Sequence, residues 1–260
     1  MDFLLAIAFV WLLAASITDL KKREVSDWLS FSLLAIALCF KTAESAIAWD
    51  YHPILNASIG LLAFFVLANI LYYGKLFAGG DAKLLIALGP IIPSASFISN
   101  ILVAGSAYGI IYSIVLAFLN RREFMGNFRK HFRAVMIFLA ASFAIFIAYL
   151  LTDSTPLLLI SGAMFFMPLL FYFVNAVEKA CLIRKVSPKE LTVGDWLFKD
   201  VRVRGKVVKS DFEGLTKQEI NLLRKSKSKV YVKYGIPFIP VFLIAFVMTI
   251  VLGNIFYIFI

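Results

Sequence analysis

Charge is scarce in this chain. Only 16% of its 260 residues are charged and 62% are hydrophobic. Soluble domains average about 25% charged and about 45–50% apolar, so a soluble globular domain is excluded. Cysteine is scarcer still: Cys39 and Cys181 lie in different regions and form no CxxC pair. That spacing offers no zinc site and no redox motif, and each thiol reads as a small packing residue. No series of segments alternates apolar and polar residues over about ten positions, which excludes a membrane β-barrel. No Lys or Arg precedes the first apolar run, so that run is expected to be a true span and not a cleavable signal peptide. There is no internal repeat and no low-complexity linker. Acidic residues are fewer than basic ones, 16 against 26, for a net charge of +10. In a soluble protein that balance would suggest nucleic acid. In a membrane protein it follows from the accumulation of Lys and Arg on the cytoplasmic side, and no nucleic-acid partner is expected.

What the sequence has is long apolar runs, at about 2–20, 28–48, 53–74, 81–93, 96–119, 134–152, 156–177 and 235–259. Most approach the ~20 residues that cross ~30 Å of hydrocarbon. The run 81–93 is shorter, reaching only about 20 Å as a helix, and Gly89-Pro90 and Pro93 should end it. The expected fold is an all-α polytopic membrane protein of about eight transmembrane helices, or six or seven if short runs are re-entrant. A small α+β cytoplasmic segment precedes the last helix. The expected division is a helical bundle over 1–177, a basic subdomain over 178–233 and a C-terminal transmembrane helix over 234–260.

The loops give an orientation. Lys21, Lys22 and Arg23 follow the first run, and Arg121, Arg122, Arg129, Lys130 and Arg133 separate the fifth from the sixth. Residues 178–233 carry 15 Lys and Arg against 7 Asp and Glu. The opposite loops are nearly neutral. Eight alternating spans place the basic loops in the cytoplasm and both termini outside the plasma membrane. Within 178–233, short alternating stretches around Gly205 predict a hairpin. Thr216-x-x-Glu219 predicts a capping box at the start of an amphipathic helix. The basic face of this segment suits anionic headgroups of membrane lipids.

Two carboxylates stand out against this background. Asp19 ends the first apolar run and Asp81 opens the fourth. A charged side chain near the bilayer centre costs roughly 2.5–3.5 kcal/mol on insertion scales, so such groups are kept where they are paired or where they work. The topology puts both at the cytoplasmic ends of their helices. Two carboxylates at close range cannot both ionise easily, so one can act as base on a water while its protonated partner polarises a carbonyl. This chemistry needs no metal and no organic cofactor. Gly79 and Gly80 remove side-chain bulk beside Asp81. Lys83 is placed to orient or charge-balance the site, and Arg23 reads first as a topology charge with a supporting role at the site. Asn56, Asn69, Asn100 and Asn175 are expected to hydrogen-bond helix to helix.

The run Asp19-Leu-Lys-Lys-Arg23-Glu-Val-Ser-Asp27 resembles the first aspartate motif of type IV prepilin and preflagellin peptidases. Ala78-Gly79-Gly80-Asp81-Ala-Lys83 resembles their GxGD motif, with Ala78 in place of the first glycine. Gly235-Ile-Pro237-Phe-Ile-Pro240 is similar to a proline-rich segment of archaeal members. The resemblance implies an archaeal-type membrane aspartyl protease with Asp19 and Asp81 as the catalytic pair. Asp27→Asn is then expected to keep most activity. The implied substrates are type IV pilin-like or archaellin precursors, cut where a short basic leader meets an apolar helix. The tetracysteine region of bifunctional bacterial members is absent, so N-methylation is not expected. Two acids in a polytopic chain also fit a proton- or cation-coupled transporter, though no repeat symmetry supports it.

Overall fold

The computed structural model describes residues 2–203, 205–211, 214–226 and 228–254. They form ten α-helices, a π-helical turn and five short strands. Six helices are long and apolar enough to cross a membrane: α1 (Asp2–Lys22), α2 (Asp27–Ala48), α3 (His52–Tyr73), α5 (Ala95–Leu119), α7 (Phe132–Thr152) and α8 (Thr155–Val177). Two apolar helices are shorter, α4 (Gly79–Leu88) and α10 (Ile239–Leu252). The chain is a polytopic helical membrane protein, with six helices of full crossing length among the described residues. The two shorter ones have local causes. Gly89-Pro90 and Pro93 stop α4 where proline cannot continue a helix, and Gly253 turns left-handed after α10 at φ 68°. The end of the run expected to 259 lies outside the described residues.

The chain divides into two compact units, Met1–Ile110 with Ile236–Ile260, and Ile111–Gly235. In the first, α1 packs on α2 and α10, and α4 lies against α2 and α3. Leu4, Ala8, Leu12 and Ala15 are buried along one stripe of α1. Their steps of three and four residues mark a single helix face. They meet Phe242, Ala245 and Phe246 of α10 in a core shared with Leu33, Phe64, Leu84, Leu88 and Phe97. Small residues set the spacing, as expected where lipid provides no hydrophobic drive between helices. At Gly60 of α3 an added Cβ would lie 2.3 Å from the carbonyl oxygen of Gly89, just past α4. Polar links are few. Trp11 Nε1 donates to Ser32 Oγ at 2.9 Å. Asn100 of α5 donates to Thr249 Oγ1 at 2.9 Å and to the Gly253 carbonyl at 2.8 Å. Asn100 thus ties two helices as expected, whereas Asn69 bonds its own helix at Phe65.

In the second unit α7 and α8 form an antiparallel pair joined by Ser142 Oγ donating to the Ser161 carbonyl. The π-helical turn Glu178–Leu182 leads to β1 (Ile183–Val186). A three-stranded antiparallel sheet follows in the order β1, β5 (Val230–Lys233), β2 (Trp196–Leu197). The hairpin predicted around Gly205 is β3 (Val201–Val203) with β4 (Lys206–Val208), and Gly205 takes φ 84°. The predicted capping box opens α9 (Lys217–Ser226): Thr216 N donates to Glu219 Oε2 at 2.9 Å and Glu219 N to Thr216 Oγ1 at 3.3 Å. Leu197, Val203, Val208, Ile220, Leu223 and Val232 give this segment its own core. One element was not expected. Residues read only as a basic loop form α6 (Arg121–Lys130), with Phe124 stacked on Phe128 and edge-on to Phe173.

Candidate active site

Both aspartates extend a buried helix face. Asp19 follows Leu4, Ala8, Leu12 and Ala15 along the stripe of α1, and it is only 5% exposed. Asp81 precedes Leu84, Leu85 and Leu88, all fully buried on the same face of α4. The stripe that packs each helix therefore also points its carboxylate inward. The Asp19 carboxylate acts by charge on Asp81, so residues sixty-two positions apart in the chain are brought within electrostatic reach.

Each carboxylate also satisfies a helix start. Asp81 is the third residue of α4, and its Oδ2 accepts the Ala78 N–H at 3.2 Å. Asp19 does the same across the chain: its Oδ2 accepts the Ile239 N–H at 3.0 Å. This is a first amide of α10, orphaned at any helix N-terminus. Phe238 holds the N-cap position and has no side-chain acceptor. Pro240 in the first turn presets the helical φ. The proline-rich segment is therefore a helix start, and it is seated on Asp19. Two helix N-termini converge on the pair, and each favours nearby negative charge by about 0.3–1 kcal/mol at exposed positions.

The neighbouring residues divide. Ala78 stands at φ −74° and ψ 162°, extended backbone open to any L-residue. The departure from glycine there carries no strain. An added Cβ on Gly80 would meet Val25 Cβ at 3.3 Å, whereas on Gly79 it would meet only a Tyr72 ring carbon at 3.8 Å. Gly80 thus admits Val25 of the turn between α1 and α2. Arg23 ends α1 in a left-handed conformation at φ 57°, its N–H bonded to the Asp19 carbonyl at 2.8 Å, and its charge acts on Asp19. Lys83 faces α2: its Nζ lies 2.6 Å from Asp27 Oδ1 and 6.0 Å from the Phe31 ring centre. Among the described residues no group of three or more His, Cys, Asp and Glu side chains is placed to hold a metal ion.

Two participants escaped the reading of the residues. The Ile239 amide left one trace, a proline-marked helix start with no Ser, Thr, Asp or Asn before it, which demands an acceptor from elsewhere. The Asp27–Lys83 contact left none, because no spacing rule links positions 56 residues apart.

Residues 6–126 match the model of the type IV leader peptidase family. This chain resembles the archaeal-type prepilin and preflagellin peptidases. The matched stretch holds Asp19, Arg23, Gly79, Gly80, Asp81 and Lys83; α10 lies beyond it. A preflagellin peptidase of Methanococcus voltae is 30% identical over 92 residues, 35% of this chain and 39% of that protein. A preflagellin peptidase of Methanocaldococcus jannaschii is 22% identical over 261 residues, 94% of this chain and 92% of that protein. The prepilin peptidase EppA of Methanothermobacter thermautotrophicus is 25% identical over 178 residues, covering 57% and 46%. The local matches thus cover less than half of two of these relatives, while the third aligns nearly end to end.

Proposed function

We propose that this chain is a membrane aspartyl endopeptidase that removes the short basic leader from type IV pilin-like or archaellin precursors. The observation that carries the reading is the pair itself: two carboxylates from separate helices, turned inward and within reach of each other's charge. Close carboxylates share one proton and titrate as a unit. The ionised member takes a proton from a water held between them, and the water oxygen attacks the scissile carbonyl carbon. The protonated member gives its proton to the carbonyl oxygen, forming a neutral tetrahedral diol. Collapse of the diol returns one hydroxyl proton to the ionised carboxylate, while the carboxyl that took the water's proton gives it to the leaving nitrogen, which restores the one-proton pair. No metal is required.

The substrate class follows from the site's place. The two helix ends that carry the acids adjoin Lys21, Lys22 and Arg23 on one side and Lys75 on the other. Their cationic loops belong to the cytoplasmic boundary. A precursor that stops its charged leader at that boundary would present its scissile bond at this depth. The bond must be extended or unwound, because a helix hides its carbonyls in hydrogen bonds. The names of the relatives, preflagellin and prepilin peptidase, support the same class.

The test is purified chain in detergent with a panel of leader-bearing precursors, the products identified by mass. The unsubstituted chain is expected to release the leader at one bond. Asp19→Asn and Asp81→Asn are each expected to abolish release while remaining folded and monodisperse. Leader release by either variant would sink the assignment. Proton flux in proteoliposomes without cleavage would favour transport instead.

A further inference from the structure

The two aspartate-bearing segments meet at more than their carboxylates. Residues 19–27 end α1, turn and start α2; residues 78–83 start α4. Asp19 acts by charge on Asp81. Val25 fits against Gly80, where an added Cβ would come within 3.3 Å. Asp27, in the first turn of α2, meets Lys83 at 2.6 Å. Three positions of the first motif thus meet three neighbouring positions of the second, so the two motifs are packed against each other.

Such registration matters because α4 has only ten residues and a preceding turn rich in glycine. A helix rotates its side chains by about 100° per residue, so a modest rotation of α4 would swing Asp81 away from Asp19. At its far end α4 is located by Gly89 against Gly60. At the Asp81 end the specific contacts are the close fit of Val25 and the charged pair. On the assumption of the endopeptidase reading above, we propose that Asp27 and Lys83 form a positioning strap. It sets the rotation of α4 and with it the approach of Asp81 to Asp19.

The pair is not a stability device. Its side chains are 42% and 61% exposed, and ion pairs this open contribute little to folding. Its effect is geometric, falling on the reacting groups and not on substrate contacts. Asp27, expected from the sequence to be dispensable, therefore acquires a role through Lys83.

The experiment compares kcat and KM for leader release by the purified full chain. Asp27→Asn and Lys83→Met are each expected to lower kcat by about tenfold with KM unchanged. That lies between the weak coupling of an exposed pair and the roughly hundredfold cost of a 1 Å misplacement. Lys83→Arg, which keeps the charge, is expected to stay within about twofold of the unsubstituted rate. The exchange D27K with K83D is expected to recover most of the loss, which a merely structural change at either site would not. Single variants at the unsubstituted rate, a loss confined to KM, a K83R as slow as K83M, or a folded exchange variant no faster than the singles would each overturn the strap. Those results leave the endopeptidase reading intact, because the unsubstituted chain still cleaves. Failure of the unsubstituted chain to cleave any precursor overturns both. Should the exchange variant not fold, the contrast between K83R and K83M decides.

Discussion

The Asp19 carboxylate holds the Ile239 amide at 3.0 Å, so it is both half of the acidic pair and the cap of α10. Substitutions separate the two roles. Asparagine keeps an oxygen acceptor and is as good a cap as aspartate, while it loses the ionisable group. Asp19→Asn should therefore abolish cleavage and unfold at a temperature no lower than the unsubstituted chain, since it also removes a buried charge. Asp19→Ala should abolish cleavage and destabilise by about 1–2 kcal/mol, the usual cost of a lost cap. Thermal unfolding in detergent, read beside cleavage, checks both. Equal melting of the Asn and Ala variants would show that the cap contributes nothing. A sequence displays the residues of such a site and hides its contacts. Asp19 and Asp81 are legible because charge is rare in apolar runs. That Asp19 serves the amides of residue 239, or that Lys83 turns to Asp27, depends on helix packing that no local pattern encodes.

At the scale of the element, α4 owes its position to a glycine pair. A Cβ on Gly60 would lie 2.3 Å from the Gly89 carbonyl oxygen, and one on Gly89 would lie 2.6 Å from that of Gly60. Both obstacles are backbone, which cannot swing aside as a side chain can. Gly60→Ala or Gly89→Ala must then push α3 from the end of α4, at a cost of about 1–3 kcal/mol typical of overpacking. Because α4 carries Asp81, cleavage should fall with stability. Gly109 in α5 is the control. An added Cβ there meets nothing within 4 Å, and alanine improves helix propensity, so Gly109→Ala should retain stability and cleavage. Thermal unfolding and initial rates of leader release decide. Some elements were plain beforehand, among them the apolar run that ends at Asp19, the hairpin at Gly205 and the capping box at Thr216. Each is encoded within a few neighbouring residues. The helix α6 was not, because its polar composition and Gly126 resemble a loop between spans. Yet Glu123 in its first turn and Arg129 and Lys130 in its last complement the helix dipole, a signal the charge count concealed.

For the whole molecule the question is whether α4 carries the chain across the bilayer. With only the six long helices crossing, the segments 120–133 and 178–233 would lie opposite Lys21, Lys22 and Arg23, against the bias of cationic loops toward the cytoplasm. One more crossing between α3 and α5 brings all of them to one side. The ten residues of α4 rise only about 15 Å. Residues 89–94 follow without helix and add up to about 20 Å if extended. Non-helical backbone at membrane depth is tolerated only where protein shields it, and Gly89, Pro90, Ile91 and Ile92 are all buried. The segment 79–94 thus has the reach and the shielding to cross. The prediction concerns two exposed positions, Leu76 before α4 and Lys209 beyond α8. In a chain with Cys39→Ser and Cys181→Ser, L76C and K209C should react with a membrane-impermeant thiol reagent from the same side of oriented vesicles. T155C, at the start of α8, should react from the other. Four crossings between positions 76 and 209 give that result and three give the reverse. Labelling of L76C and K209C from opposite faces would therefore show that α4 enters the membrane and turns back.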